Sequence, residues 1–143
     1  MSFYHALEGI WAAIRSEAHL RFHIAIANLI IVFAIFFGIS RTEWAVLFLT
    51  IAAVISAELM NTALERAVDT ATLERVPTAR FAKDAAAGAV LVFAAASIAI
   101  GICIFGNMQK IMNTLAFIFS TPEILIPCLI LAAADIMFVA HTK

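Results

Sequence analysis

Glu58, Asn61, Glu65 and Asp69 recur down one side of the segment AVISAELMNTALERAVD. On a helix turning about 100° per residue, the last three fall within roughly 60° of Glu58's direction. The segment begins in an apolar run, and a carboxylate in hydrocarbon is costly enough to mark a functional site. Acids at a membrane interface can do two kinds of work. One with a raised pKa takes a proton as a general base, and others hold Mg²⁺ while substrate phosphates complete its octahedron. Lys83 and Asp84 open the next apolar run and add a point charge suited to phosphate beside another acid. Glu17 and Arg21 stand four residues apart just before the first run. Together these are the parts of a phosphoryl-transfer site, which works mainly by positioning and charge neutralisation. Each part also has a plainer reading. Glu17–Arg21 is compatible with a surface i,i+4 pair, Asn61 with an interhelical hydrogen bond, and the remaining charges with an aqueous rim.

The elements that must carry these groups are membrane helices. The chain has 143 residues, 64% hydrophobic and 13% charged, against roughly 45–50% and 25% in soluble domains. Ile24–Ser40, Trp44–Ala57 and Ala85–Gln109 carry no charge, and each reaches the ~20 residues that span a bilayer once its flanks are added. Phe3, Leu7, Ile10 and Ile14 recur at helical spacing, which predicts an interfacial amphipathic helix that turns into the first span at Arg21–His23. Arg41–Glu43 reads as the turn into the second span, with Trp44 as an interfacial anchor. Thr70–Ala82, with Pro77, reads as the long loop. Ser120, Pro122 and Glu123 read as the start of a fourth span to Ala140, with Asp135 reaching the interface near its far end. Cys103 and Cys128 read as small buried apolar residues. The fold expected is all-α: an interfacial helix, three transmembrane helices and a fourth C-terminal one.

Glu58 follows Glu43 by fifteen residues, about 22 Å of helix, so it lies toward the far face of the bilayer. Glu65 and Asp69 then reach the aqueous side. Arg15, Arg21, Arg66, Arg75, Arg80, Lys83 and Lys143 share that side, whereas Arg41 and Lys110 lie on the other. The positive-inside rule makes the first side cytoplasmic and places both termini there, in a multi-pass protein of the plasma (inner) membrane. No cleavable signal peptide is expected from the mixed charges of the first 21 residues.

Several chemistries are excluded. The glycines at 9, 38, 88, 101 and 106 form neither GxxxxGK[ST] nor GxGxxG, and HExxH, CxxC and GxSxG are absent. A net charge of −1 argues against nucleic acid as a partner. What is present is Glu58-Leu59-x-Asn61-Thr62-Ala63-Leu64-Glu65-x-x-Val68-Asp69, followed by Ala82-Lys83-Asp84-x-Ala86-x-Gly88-Ala89-Val90-Leu91. These runs resemble the signature of the prokaryotic diacylglycerol kinase family, which includes the undecaprenol kinases. Phe3-x-x-Ala6-x-x-Gly9-Ile10 and Ser16-Glu17-x-x-x-Arg21-x-His23 resemble its N-terminal helix.

The resemblance divides the chain into a kinase-like membrane domain, 1–106, and a C-terminal extension, 107–143, beyond the usual end of the family. It implies a homotrimer with composite active sites between protomers, using MgATP to phosphorylate a lipid alcohol such as undecaprenol or diacylglycerol. Glu58 then corresponds to the catalytic base, and Glu17 and Glu65 to the acids that hold Mg²⁺. Asn61, Asp69, Glu74, Lys83 and Asp84 correspond to nucleotide-binding positions, with Glu17 and Glu65 also in that group. Arg75 and Val76 depart from the family's usual tyrosine–histidine pair. The run from Glu17 to His23 is closer to the undecaprenol branch. Two rival functions remain at this stage: a proton- or ion-coupled membrane protein with Glu58 as relay, and a non-enzymatic assembly factor whose acids specify helix pairing.

Overall fold

The computed structural model describes residues 3–72 and 76–140. Among them run helices α1 (Phe3–Ser16), α2 (Ala18–Phe37), α3 (Arg41–Ala71), α4 (Pro77–Phe105), α5 (Met108–Ser120) and α6 (Pro122–Ala140). The architecture is all-helical, and α2, α3, α4 and α6 are long and apolar enough to cross a membrane. In α1 only Ala13 is buried, while Phe3, Leu7 and Trp11 stay exposed, as befits a helix lying in an interface.

The helix ends differ from the sequence expectation for local reasons. The break between α1 and α2 is at Glu17, in extended backbone, rather than at Arg21–His23. Arg21 belongs to α2 and its Nη1 donates to the Ile14 and Arg15 carbonyls, at 3.0 and 3.1 Å. These are orphan acceptors at the end of α1, and Arg21 satisfies them. The turn expected at Arg41–Glu43 lies one step earlier. Gly38 ends α2 in the left-handed region at φ 67°, which glycine adopts without strain. Ser40 and Glu43 then form a capping box that starts α3. The loop expected over Thr70–Ala82 is shorter: α3 persists to Ala71, and Pro77 begins α4 with a fixed φ suited to a first turn.

With 31 residues α3 is about 46 Å long, more than a hydrocarbon core of ~30 Å. Its last turns therefore project past the bilayer together with the first turns of α4, which packs closely along it. At the opposite end Ala34, Phe37, Ile39, Leu47 and Ile104 are buried together. Phe37 and Phe105 meet edge-on there at 5.2 Å between centroids. Without a hydrophobic drive inside lipid, such contact packing holds membrane helices together. The helices are thus clamped at the end away from Glu58.

Residues 107–140 hold one helix more than expected. The fourth span is present as α6, but an additional helix, α5, precedes it across the clamped end. Asn107 caps it by accepting from Lys110 N at 2.9 Å. Lys110 Nζ donates to the Gly38 carbonyl at 3.2 Å and lies 4.2 Å from the Phe37 ring centre. Thr114 and Ile118 are its buried residues. Ser120 closes α5 by donating to Phe117 O at 3.1 Å rather than capping α6. α6 packs on α2, where Asn28 Nδ2 donates to Asp135 Oδ1 at 3.0 Å. Asp135 is only 6% exposed. It does not reach the interface as expected, because Asn28 offers a donor inside the bundle. Cys103 is exposed and Cys128 half-buried, so neither is the buried apolar residue anticipated.

Candidate functional site

The polar stripe of α3 occupies the end of the bundle where α1, the start of α2 and the start of α4 gather. Glu58 is the eighteenth residue of α3 and only 6% exposed. Its Oε1 lies 3.1 Å from Nε2 of His23, half-buried on α2. The imidazole thus stands at ion-pair distance from the buried carboxylate, which is not stranded without a polar neighbour. One turn on, Thr62 is buried and Asn61 Nδ2 donates to Glu65 Oε1 at 3.2 Å. The oxygen Oδ1 of Asn61 is buried with no hydrogen-bond partner among the described residues.

Glu17 comes to the stripe from the α1–α2 break. Its Oε1 accepts from Ser16 Oγ at 3.1 Å and from Arg66 Nη2 at 3.3 Å, and Arg66 also donates to Ser16 Oγ. The i,i+4 pair of Glu17 with Arg21 is therefore not formed: Arg21 turns back to α1, and Arg66 on α3 takes its place. Farther out, Lys83 Nζ is paired with Asp69 Oδ1, joining the projecting ends of α3 and α4. Asp84 is exposed and pairs with Arg80 at 3.4 Å. Glu74 lies outside the described residues.

The structure thus brings Glu58, Asn61 and Glu65 onto one helix face, ties Glu17 to that helix through Arg66, and places Asp69 and Lys83 together beyond them. Two participants were not singled out from the sequence as site residues, His23 and Arg66. His23 is a lone histidine entering an apolar run, and nothing local couples it to a glutamate 35 positions later. Arg66 sits beside Glu65 in the chain but points to another helix.

A cavity of about 540 Å³ opens from His23 between α2, α3 and α4. Ile26, Ile30, Phe33, Val54 and Ile98 are among the apolar side chains of its wall, and Phe105 lies at its far end. From His23 to Phe33 the slot follows α2 for about 15 Å. Among the described residues no three His, Cys, Asp or Glu side chains gather at one metal position. Glu65 does keep Oε2 without a partner among them. That suits Mg²⁺, which usually takes one or two carboxylates and completes its shell with water and substrate phosphate.

The model of the family described as "Prokaryotic diacylglycerol kinase" matches residues 4–105, which leaves α5 and α6 outside it. The chain is 46% identical over 104 residues to the undecaprenol kinase of Bacillus subtilis (strain 168), covering 73% of this chain and 85% of that protein. It is 37% identical over 105 residues to a diacylglycerol kinase of Synechocystis, covering 73% of this chain and 60% of that protein. A diacylglycerol kinase of Pseudomonas aeruginosa is 34% identical over 88 residues, covering 62% of this chain and 72% of that protein. No solved structure matches the chain. The matched span contains the whole stripe, His23 and both projecting helix ends, and the chain belongs to the prokaryotic diacylglycerol kinase family, as a multi-pass membrane lipid kinase.

Proposed function

We propose that this kinase transfers the γ-phosphate of ATP to the primary hydroxyl of a membrane lipid alcohol, with undecaprenol as the preferred acceptor. One observation carries the reading: a buried carboxylate, Glu58, is paired with a histidine that itself lines a long apolar slot. A lipid tail fits that slot and leaves its hydroxyl beside Glu58. Glu58 takes the hydroxyl proton, the freed oxygen attacks the γ-phosphorus, and the bond to the bridging oxygen of ADP breaks. His23 holds Oε1, leaving the other carboxylate oxygen to receive the proton. Lys83 and the amide of Asn61 steady the nucleotide as charge moves onto the leaving group. Mg²⁺, held from Glu17 and Glu65, would supply charge neutralisation on the phosphates. Glu17 has to share its oxygen with Arg66 or release it, and Asp69, Asp84 and Glu74 complete the nucleotide side.

Undecaprenol is favoured over diacylglycerol by the 46% identity to a protein of that name. The end bearing Arg15, Arg21, Arg66, Arg80 and Lys83 opposes the end bearing Arg41 and Lys110, which supports a cytoplasmic active site in the plasma (inner) membrane. A homotrimer with sites shared between protomers is consistent with exposed Phe81, Leu91, Ile98 and Ile102 along α4. Residues 1–106 form the kinase domain in this reading, and 107–143 an added unit. Membership of an enzyme family sets aside the ion-relay and assembly-factor readings. The experiment is transfer of labelled γ-phosphate from ATP to undecaprenol and to diacylglycerol, offered separately to purified protein. Phosphorylation of neither lipid would overturn the proposal, and a preference for diacylglycerol would overturn the choice of acceptor.

A further inference from the structure

A second cavity, of about 560 Å³, lies apart from the Glu58 site, between the end of α1, the start of α2 and the end of α6. Its walls include Trp11, Ala134, Met137 and Phe138, and its charged members are Arg15 and Arg21. Arg21 is 4% exposed. Its Nη1 is engaged by the last carbonyls of α1, yet its Nε is buried without a hydrogen-bond partner among the described residues. Arg15 stacks on the Trp11 ring at 4.9 Å, which holds a second guanidinium at the same opening. No carboxylate lines the cavity among the described residues. Of the acids on the adjoining helix ends, Glu17 pairs with Arg66 and Asp135 Oδ1 accepts from Asn28, while Asp135 Oδ2 is buried without a hydrogen-bond partner among the described residues.

A buried guanidinium with an unsatisfied donor calls for an anionic acceptor, and carbonyl dipoles neutralise only part of its charge. Guanidinium groups match phosphate geometry better than any other side chain. The location adds a second constraint. An amphipathic helix and the end of a membrane span meet here, which is the depth of lipid headgroups. The remaining wall, supplied by α6, is apolar and suits an acyl chain. We propose that this crevice binds the phosphate of an anionic membrane phospholipid, with Arg21 Nε and Arg15 as donors and the chain lying along Met137 and Phe138. One wall belongs to the segment outside the family match, so the site is a property of the appended helix. It does not depend on the kinase reading.

The test is native mass spectrometry of the full chain in detergent, titrated with phosphatidylglycerol or with phosphatidylcholine of the same chains. One retained phosphatidylglycerol per chain is expected, with about a tenfold preference over phosphatidylcholine. Arg15→Gln removes one donor, and Ala134→Trp fills the crevice while leaving both arginines in place. Each should lower phosphatidylglycerol retention about tenfold, and Arg15→Lys should restore part of it. Arg21 also caps α1, so its replacement tests folding as well as binding and is not the deciding variant. Equal retention of the two lipids, or unchanged retention in both Arg15→Gln and Ala134→Trp, would overturn the proposal.

Discussion

His23 Nε2 stands 3.1 Å from Glu58 Oε1, linking α2 to α3 at the open end of the bundle. The clamp of Phe37, Leu47 and Ile104 lies at the other end, so this pair adds a polar link between the two helices far from that apolar contact. It also orients the carboxylate from which the proposed chemistry starts.

Replacing Glu58 with Gln keeps the side chain's shape and removes the base. Phosphate transfer into lipid should fall by roughly 10²–10⁴-fold, while the protein remains folded in detergent. The check is labelled transfer measured beside a thermal melt. Activity within a few-fold of the parent would take the base role away from Glu58.

His23→Leu leaves the Glu58 carboxylate buried without its ion-pair partner. Breaking such a pair costs about 3–5 kcal/mol, which should appear as a lower melting temperature as well as lost transfer. His23→Gln places an amide donor beside the carboxylate and should recover much of the stability. Equal melting temperatures for the two variants would show that the pairing contributes nothing to the fold.

Mg²⁺ removal by chelation should abolish transfer, and its return should restore it. Glu65→Gln weakens one of two carboxylate ligands, so its Mg²⁺ requirement should rise about tenfold or more while lipid affinity stays near the parent value. A Mg²⁺ titration of both proteins at fixed lipid measures this. An unchanged requirement would remove Glu65 from the metal site.

Asp135→Leu removes the acceptor of Asn28 and should destabilise the seating of α6 on α2 by about 1 kcal/mol. Asn28→Leu should cost little further in the double variant, because both changes delete the same bond. Strictly additive losses in that double-mutant cycle would mean that the two residues do not couple.

Much of the fold was open to reading because a bilayer demands long apolar helices. The bounds of α6, Pro122 to Ala140, are legible from hydropathy and Pro122, although Ser120 closes α5 instead of capping it, and the stripe from Glu58 to Asp69 follows from helical periodicity alone. α5 was missed, since a short interfacial helix mixes Gln109, Lys110 and Asn113 with apolar residues and matches no spanning pattern. The turn at Gly38 was misplaced because Arg41 and Glu43 look like loop residues, although Ser40 with Glu43 is a capping signal. Asp135 was assigned to the interface because its donor, Asn28, is distant in sequence.

By itself, the sequence determined that this is an all-helical membrane protein, which helices it has in outline, and which acids share a face of α3. Local periodicity and hydropathy suffice for that, since both operate over a few turns of chain. Tertiary structure alone decided that His23 partners Glu58, that Arg66 rather than Arg21 meets Glu17, and that Asn28 donates to Asp135. Those choices depend on how separate helices pack, and in low-dielectric surroundings a buried polar group takes whichever partner packing brings within reach.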